Sequence, residues 1–553
     1  VVASLLATLG SAAFAQETWD GGGGDNNWAT GDNWADNSAP SGSTGVALTF
    51  SGATQTTNVN NISGLGFTSL TLNSSNWSIS GNAFTLSAGI TLGAGLSSTV
   101  ANDITFSGTG QTLQTQNTGG GTLNLAGSFD AGTREVRKDG AGSNLIFNGA
   151  GKTITTGQLT IRKGSVTFDN GVTAALSAVR LSDATFSGTN PSLTVSGTGT
   201  SVSVSGDIQT GTVANDGRVN VSGGTLTVAT LLTGQNATAA ATNGLYVSGG
   251  IVNVTSLRHA NTTSAVVDVS AGTLNIGQAT ATASKLTEAG SGTINVGGTG
   301  NVVVKNLTTD ASAAFQLATG AGNGILNLDG GTFETGGFIK NDTTGTTTIN
   351  LNGGTLRAGQ GSTGFLPALA NTSVNVGDGG AVIDTNGFNI TIAAPLLNAG
   401  TGGLDKSNTG TLTLAGLNTF RGDTSISAGS VTLADTGSLT FYLGTNTSNR
   451  VNGSGSAAFD GTFRIDFASA AGTSWNLVAP SVASSYVGFN GLIDTSGAQT
   501  FVNSGGGLWS SAGYVFNEAT GSLTSTAIPE PSSLAALAGL AALGCAGRRR
   551  RRA

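Results

Sequence analysis

VNVSGGTLTV, residues 219–228, carries the pattern that decides the fold. Val219 and Val221 alternate with Asn220, two glycines follow, and Leu226 and Val228 alternate with Thr227. Period-two alternation sends one set of side chains inward and leaves the polar set outward, as in a half-buried strand. Gly223 and Gly224 between the runs allow the positive φ of a sharp corner. The unit reads strand, corner, strand.

The unit recurs. LYVSGGIVNV surrounds Gly250, VDVSAGTLNI Gly272, GSGTINV Gly292, LNLDGGTFET Gly331 and INLNGGTLRA Gly354. From Gly224 onward the marker glycines are 26, 22, 20, 39 and 23 residues apart, and the 39 is read as two coils with one marker lost. A period in the low twenties belongs to solenoids. The expected fold is all-β, a right-handed parallel β-helix over about residues 45–435, with about 17 coils stacked over a length on the order of 80 Å. Outward Thr and Asn are placed to form ladders between coils.

Composition agrees with a folded β chain. Only 9% of the 553 residues are charged and 89 are Gly, but Val, Ile, Leu and Thr recur throughout, unlike the usual disordered chain. A net charge of −7 with scattered basic residues gives no footprint for nucleic acid. A single cysteine, Cys545, excludes an intramolecular disulfide. One histidine, His259, and no Cys pairs point to no metal site and no cofactor.

The flanks differ from the repeats. Residues 1–15 are apolar and end in Ala13-Phe14-Ala15, the small-x-small pattern of a signal-peptidase site. Neither Met nor a basic n-region precedes them, so a truncated start or a Val start codon is expected. Residues 16–44 hold Trp19, Trp28 and Trp34 and read as an N-terminal cap over the exposed sheet end. Asp20, Asp25, Asp32 and Asp36 lie there among glycines, with a spacing that fits neither the EF-hand nor the nonapeptide calcium loop. Residues 436–526 lose the Gly-Gly corners and become more aromatic, which suggests a C-terminal antiparallel β module.

Two resemblances add to this reading. Residues 402–435, GGLDKSNTGTLTLAGLNTFRGDTSISAGSVTLAD, resemble the autotransporter-associated β-strand repeat through Leu404, Lys406, Gly410, Leu412, Leu414, Asn418, Gly429 and Val431, with Phe420 in place of the usual Tyr. A weaker copy spans 136–168 and keeps Lys138, Gly142, Gly149, Gly164 and Val166. That resemblance implies a secreted or surface-attached β-helical stalk and supplies no catalytic residue.

Residues 527–553 resemble a PEP-CTERM sorting signal: Pro529-Glu530-Pro531, an apolar segment with Leu534, Leu537, Leu540 and Leu543 that reads as a short helix, then Arg548, Arg549, Arg550, Arg551 and Arg552. The arginines would stay cytoplasmic, and proline keeps the segment outside the membrane extended. From Ser532 to Gly547 is 16 residues, about 24 Å of helix against a hydrocarbon core of roughly 30 Å. Such a segment suits transient membrane retention better than permanent anchoring. The resemblance implies an exosortase as the processing partner.

Chemistry is sought in clustered acids and bases. Asp268, Asp329, Glu334, Lys340 and Arg357 are the candidates for a polysaccharide-degrading site, in which acids or basic groups must project from neighbouring coils. The charged run 134–142, REVRKDGAG, is expected as a solvated loop, His259 as a loop residue, and Arg421-Gly422-Asp423 as a turn of the repeat. The expected protein is non-enzymatic: a structural or adhesive β-helix of the surface or extracellular matrix, with extracellular polysaccharide or other surface proteins as partners. A polysaccharide-binding or polysaccharide-degrading β-helix is the alternative.

Overall fold

A computed structural model describes residues 15–42, 45–108, 113–117, 120–181, 190–211, 217–233, 243–259, 264–277, 285–287, 291–305, 312–318, 321–340 and 344–526. Ala13 and the whole sorting signal, 527–553, lie outside them. The chain is an all-β solenoid of about sixteen turns. Its one helical element among the described residues is the 3-10 turn Gly31–Asn33. Residues 15–361 with 369–373 form one compact unit, and residues 362–368 with 374–526 a second.

In the first unit, alternation translates directly into columns. Leu145 pairs in parallel register with Val166, then Leu193, Val219, Leu245 and Val267 follow, each in the next coil. Each is at most 1% exposed, and burying one such side chain contributes about 1.5–3 kcal/mol. Long strands bend where the register shifts, as between Leu176 and Val179 in Thr173–Leu181, so one coil lays down several short faces.

The corners show why two glycines recur. Gly250 has φ +65°, and a Cβ there would lie 2.5 Å from Gly224 O and 2.7 Å from Gly223 C of the preceding coil. The corner therefore needs glycine twice over, for its dihedral angle and for the approach of stacked backbone.

Gly292 is not a corner. It lies inside the strand Ser291–Val296, opposite Ala265. The corner of that coil is Gly297-Gly298-Thr299-Gly300, with Gly298 at φ +51° and Gly331 N donating to Gly298 O at 2.9 Å. The interval of 39 residues is thus a misplaced marker followed by one long coil. Strand Ser291–Val296 pairs directly with Asn323–Leu328, and the extra residues fall between Lys305 and Asn323.

The N-terminal stretch belongs to the ladder itself. Ala15–Trp19 pairs in parallel with Val46–Phe50, so the ladder starts before residue 45. The indoles gather behind it. Trp19 and Trp34 meet edge-on at 5.4 Å, Trp28 lies 5.3 Å from Phe50, and all three tryptophans are fully buried. Trp28 Nε1 donates to Asn58 Oδ1 at 2.7 Å and Trp34 Nε1 to Trp28 O at 2.8 Å, so burial leaves neither indole N–H without a partner.

In the second unit three parallel stacks run side by side. One comprises Ser362–Leu366, Ile390–Ile392, Thr411–Leu414, Ser430–Leu433, Ser456–Phe459 and Ala483–Ser485. Another comprises Leu417–Asn418, Ser438–Tyr442, Thr462–Asp466 and Gly491–Asp494. The third includes Ala381–Asp384, Leu404–Ser407, Thr424–Ile426 and Val451–Gly453.

Parallel winding therefore continues well beyond residue 435, where an antiparallel module is expected from the sequence. The aromatic residues Phe459 and Phe463 simply point inward, and single glycines, Gly437 and Gly461, serve the close approaches that Gly-Gly pairs serve earlier. Among the described residues, antiparallel pairing between whole strands is confined to a five-stranded sheet of Ser474–Asn476, Ser522–Ser525, Tyr514–Asn517, Leu508–Ser511 and Val502–Gly505, with isolated antiparallel bridges elsewhere, such as Leu443 with Ser448.

Candidate functional site

Of the acids and bases nominated for hydrolytic chemistry, Asp329, Glu334, Lys340 and Arg357 each have a local partner. Asp329 Oδ1 accepts from Asn352 Nδ2 at 2.9 Å, and Glu334 lies 3.6 Å from Arg357 in the next coil. Lys340 Nζ donates to the carbonyls of Gly345 at 2.6 Å and Ala370 at 2.7 Å. Asp268 stands in register between Tyr246 and Asn295. Among the described residues no group of three or more His, Cys, Asp or Glu side chains converges.

Three of the N-terminal aspartates, Asp20, Asp25 and Asp36, serve turns. Asp25 accepts from Asn27 N, Asn27 Nδ2, Thr30 Oγ1 and Asn33 Nδ2, and the first of these bonds leads in holding its carboxyl below the usual range. Asp20 receives Gly22 N and Asp36 receives Ser38 N. Ala15 opens the first strand, opposite Val46. His259 closes the strand Gly244–His259 fully buried, its Nδ1 3.3 Å from Thr233 Oγ1, so it belongs to the core and not to a loop.

The charged run 134–142 departs furthest from expectation. Val136–Lys138 is a strand paired with Leu159, Thr160 and Ile161. Arg137 pairs with Glu135 at 2.9 Å. Lys138 is 1% exposed, its ammonium donating to Asp139 O at 2.6 Å, Ser143 Oγ at 2.6 Å, Gly140 O at 3.3 Å and Lys163 O at 3.3 Å. Burial pulls its pKa down to about 8, against the favourable charge of Asp139.

Lys406 repeats that arrangement. It is fully buried and donates to Ser407 O at 2.9 Å, Asn408 O at 2.6 Å and Ala428 O in the next coil at 3.1 Å. Burial lowers its pKa too, with Asp384 opposing. In both places the lysine gathers the carbonyls of the two residues that follow it and one from the next coil. Gly164 and Gly429 lie over the two turns at positions where a Cβ would strike the backbone. The sequence marks both lysines through the repeat resemblance but gives no sign that they point inward.

The Arg421-Gly422-Asp423 tripeptide is built into the wall of the second unit. Gly422 N donates to Gly402 O at 2.9 Å, and Asp423 accepts from Arg450 N at 3.0 Å and Asn452 Nδ2 at 2.6 Å. Arg421 instead lies over the ring of Tyr442, 4.6 Å from its centroid. There it borders a cleft of about 370 Å³ with Tyr442, Thr447, Asn449, Asp466 and Ser469. Alternation in the strand Ser438–Tyr442 makes Tyr442 outward, a signal that sequence reading had available and passed over.

Against known proteins, a family model described as the PEP-CTERM protein-sorting motif matches residues 527–552. Neither a curated protein nor a solved structure matches the chain. The matched segment contains Pro529, Glu530, Pro531, the leucines of the apolar segment and all five terminal arginines. A sorting signal of this kind is recognised by exosortase and implies export to the cell surface or extracellular space. Among the described residues no helix is long and apolar enough to cross a membrane.

Proposed function

We propose that this chain is an exported, non-enzymatic scaffold of the cell surface or extracellular matrix, delivered and trimmed through its C-terminal signal. The match over 527–552 carries this reading. The mature chain begins near Gln16, the apolar run holds it briefly in the membrane, and exosortase acts near Pro529–Pro531. The buried tryptophans cap one end of the parallel ladder, the winding is right-handed, and the two lysine turns mark autotransporter-associated repeats. The equivalent bonding of Lys138 and Lys406 supports the repeat assignment. The engagement of Asp329, Glu334 and Lys340 with local partners supports a scaffold over an enzyme.

Mass spectrometry of the surface-exposed and secreted material tests the reading. Peptides ending before Arg548 are expected, and replacing Pro529, Glu530 and Pro531 by alanine should leave the full tail in the membrane fraction. Recovery of surface protein that still carries Arg548–Arg552 would contradict it.

A further inference from the structure

Three successive rungs of the second unit meet at the cleft beside Tyr442. Its position is fixed from behind. The phenol donates to Thr419 O at 2.7 Å, Tyr442 N donates to Asn449 Oδ1 at 2.7 Å, and Asn449 Nδ2 donates to Thr440 O at 2.9 Å. Arg421 lies over the ring and forms no ion pair among the described residues. Asp466 stands opposite Tyr442 in the next coil, and its Oδ1 accepts from Ala468 N at 2.9 Å. A fixed aromatic ring, a cation and an anion thus border one opening of about 370 Å³, within the roughly 300–1,000 Å³ of small-molecule sites.

That set matches the surface of a sugar. A pyranose presents adjacent hydroxyls that both donate and accept, and an apolar C–H face that packs on aromatic rings. Bonds from hydroxyls to a carboxylate and from a guanidinium to hydroxyls are charge-assisted and so among the stronger kind. One positive and one negative group give no net preference for an anionic polymer.

We propose that this cleft is a carbohydrate subsite for a neutral hexose unit of an extracellular polysaccharide. Asp466 accepts from one hydroxyl, Arg421 donates to its neighbour from its place over one face of the Tyr442 ring, and the part of the ring that Arg421 leaves uncovered forms the apolar wall. The assignment rests on the export reading, since such polymers lie outside the cell.

The test uses the full chain and four neutral probes, laminarin, dextran, mannan and cellohexaose, with polygalacturonate as the anionic arm. Saturable binding of at least one neutral probe is expected. Arg421→Ala and the isosteric Asp466→Asn should each weaken it about tenfold or more, with the thermal midpoint unchanged. Arg218→Ala, in the first unit, should leave it intact. Binding of polygalacturonate alone, of no probe, or unchanged binding in both cleft variants overturns the proposal. A chain that is trimmed and exported yet binds no probe removes the subsite and leaves the export reading standing. A chain that binds but keeps its tail in the membrane does the reverse.

Discussion

Gly250 and Lys406 turn the chain between strands by opposite means. At Gly250 the corner stacks backbone on backbone: Ile251 N donates directly to Gly224 O at 2.9 Å, and nothing larger than hydrogen fits at the glycine. At Lys406 the carbonyls of Ser407, Asn408 and Ala428 converge on a buried ammonium that supplies the missing donors. The first device needs the absence of a side chain and can be copied coil after coil. The second concentrates the same requirement on a single side chain. A solenoid with 9% charged residues thus places two of its lysines almost wholly out of water.

The comparison breaks most sharply at the glycine. Gly250→Val places a branched side chain at φ +65° and drives its Cβ into the preceding corner. A loss of about 4 kcal/mol or more is expected, read as a fall in the urea midpoint. Ser248→Ala, an exposed site in the same strand, should change it by less than about 0.5 kcal/mol. Equal tolerance at the two positions would mean that the stacked corner is not what holds the coils.

Lys406→Met keeps the length of the side chain and removes the donor. Three carbonyls lose a partner inside the turn, and a loss of about 3 kcal/mol is expected by thermal or urea unfolding. Lys406→Arg should not restore it. A planar guanidinium does not reproduce the compact three-donor geometry, and Gly429 leaves no room, since a Cβ there would already lie 3.0 Å from Nζ. Full stability in the Met variant would reduce the lysine turn to a decoration of the glycine design.

The two devices were unequally legible. The corner glycines announce themselves because a Gly-Gly between alternating runs has few other readings, and the inward columns follow from the alternation alone. Even so, Gly292 misled, since a glycine before threonine inside a strand looks the same in sequence as one at a corner. The lysines were visible only as positions of the repeat that residues 402–435 and 136–168 resemble. Whether a charged side chain points in or out depends on carbonyls from a coil more than 20 residues away, and no local pattern records that. Past residue 435, aromatic residues masked a winding that had not stopped. The sorting tail was legible from residue order alone.

A pH series sharpens the lysine side further. The folded-state pKa of Lys138 lies near 8 and the ordinary lysine value near 10.5. Between those values the unfolded chain binds more protons, so stability should rise with pH and level off outside the window. The rise is at most roughly 3 kcal/mol, and Lys138→Met should flatten it. A stability that falls across the same window in the parent chain, with the same slope in the variant, would place the ammonium in water.

The smallest effect lies on the outward faces, where neither device operates. Asn327 donates to Asn295 Oδ1 at 2.8 Å and accepts from Asn350 Nδ2 at 2.7 Å, one rung of a polar ladder along successive coils. These groups are half-buried, so water replaces part of what is lost when the rung is removed. Asn327→Ala should cost about 1 kcal/mol, and Asn327→Thr less, since a β-branched residue favours the strand. Single hydrogen bonds of this size hold the faces only by repetition. Double replacement of Asn327 and Asn350 should therefore cost less than the two single changes added, because they share one bond. Strict additivity would show that the ladder's bonds are independent of one another, and the corners alone would then bear the cooperativity between coils.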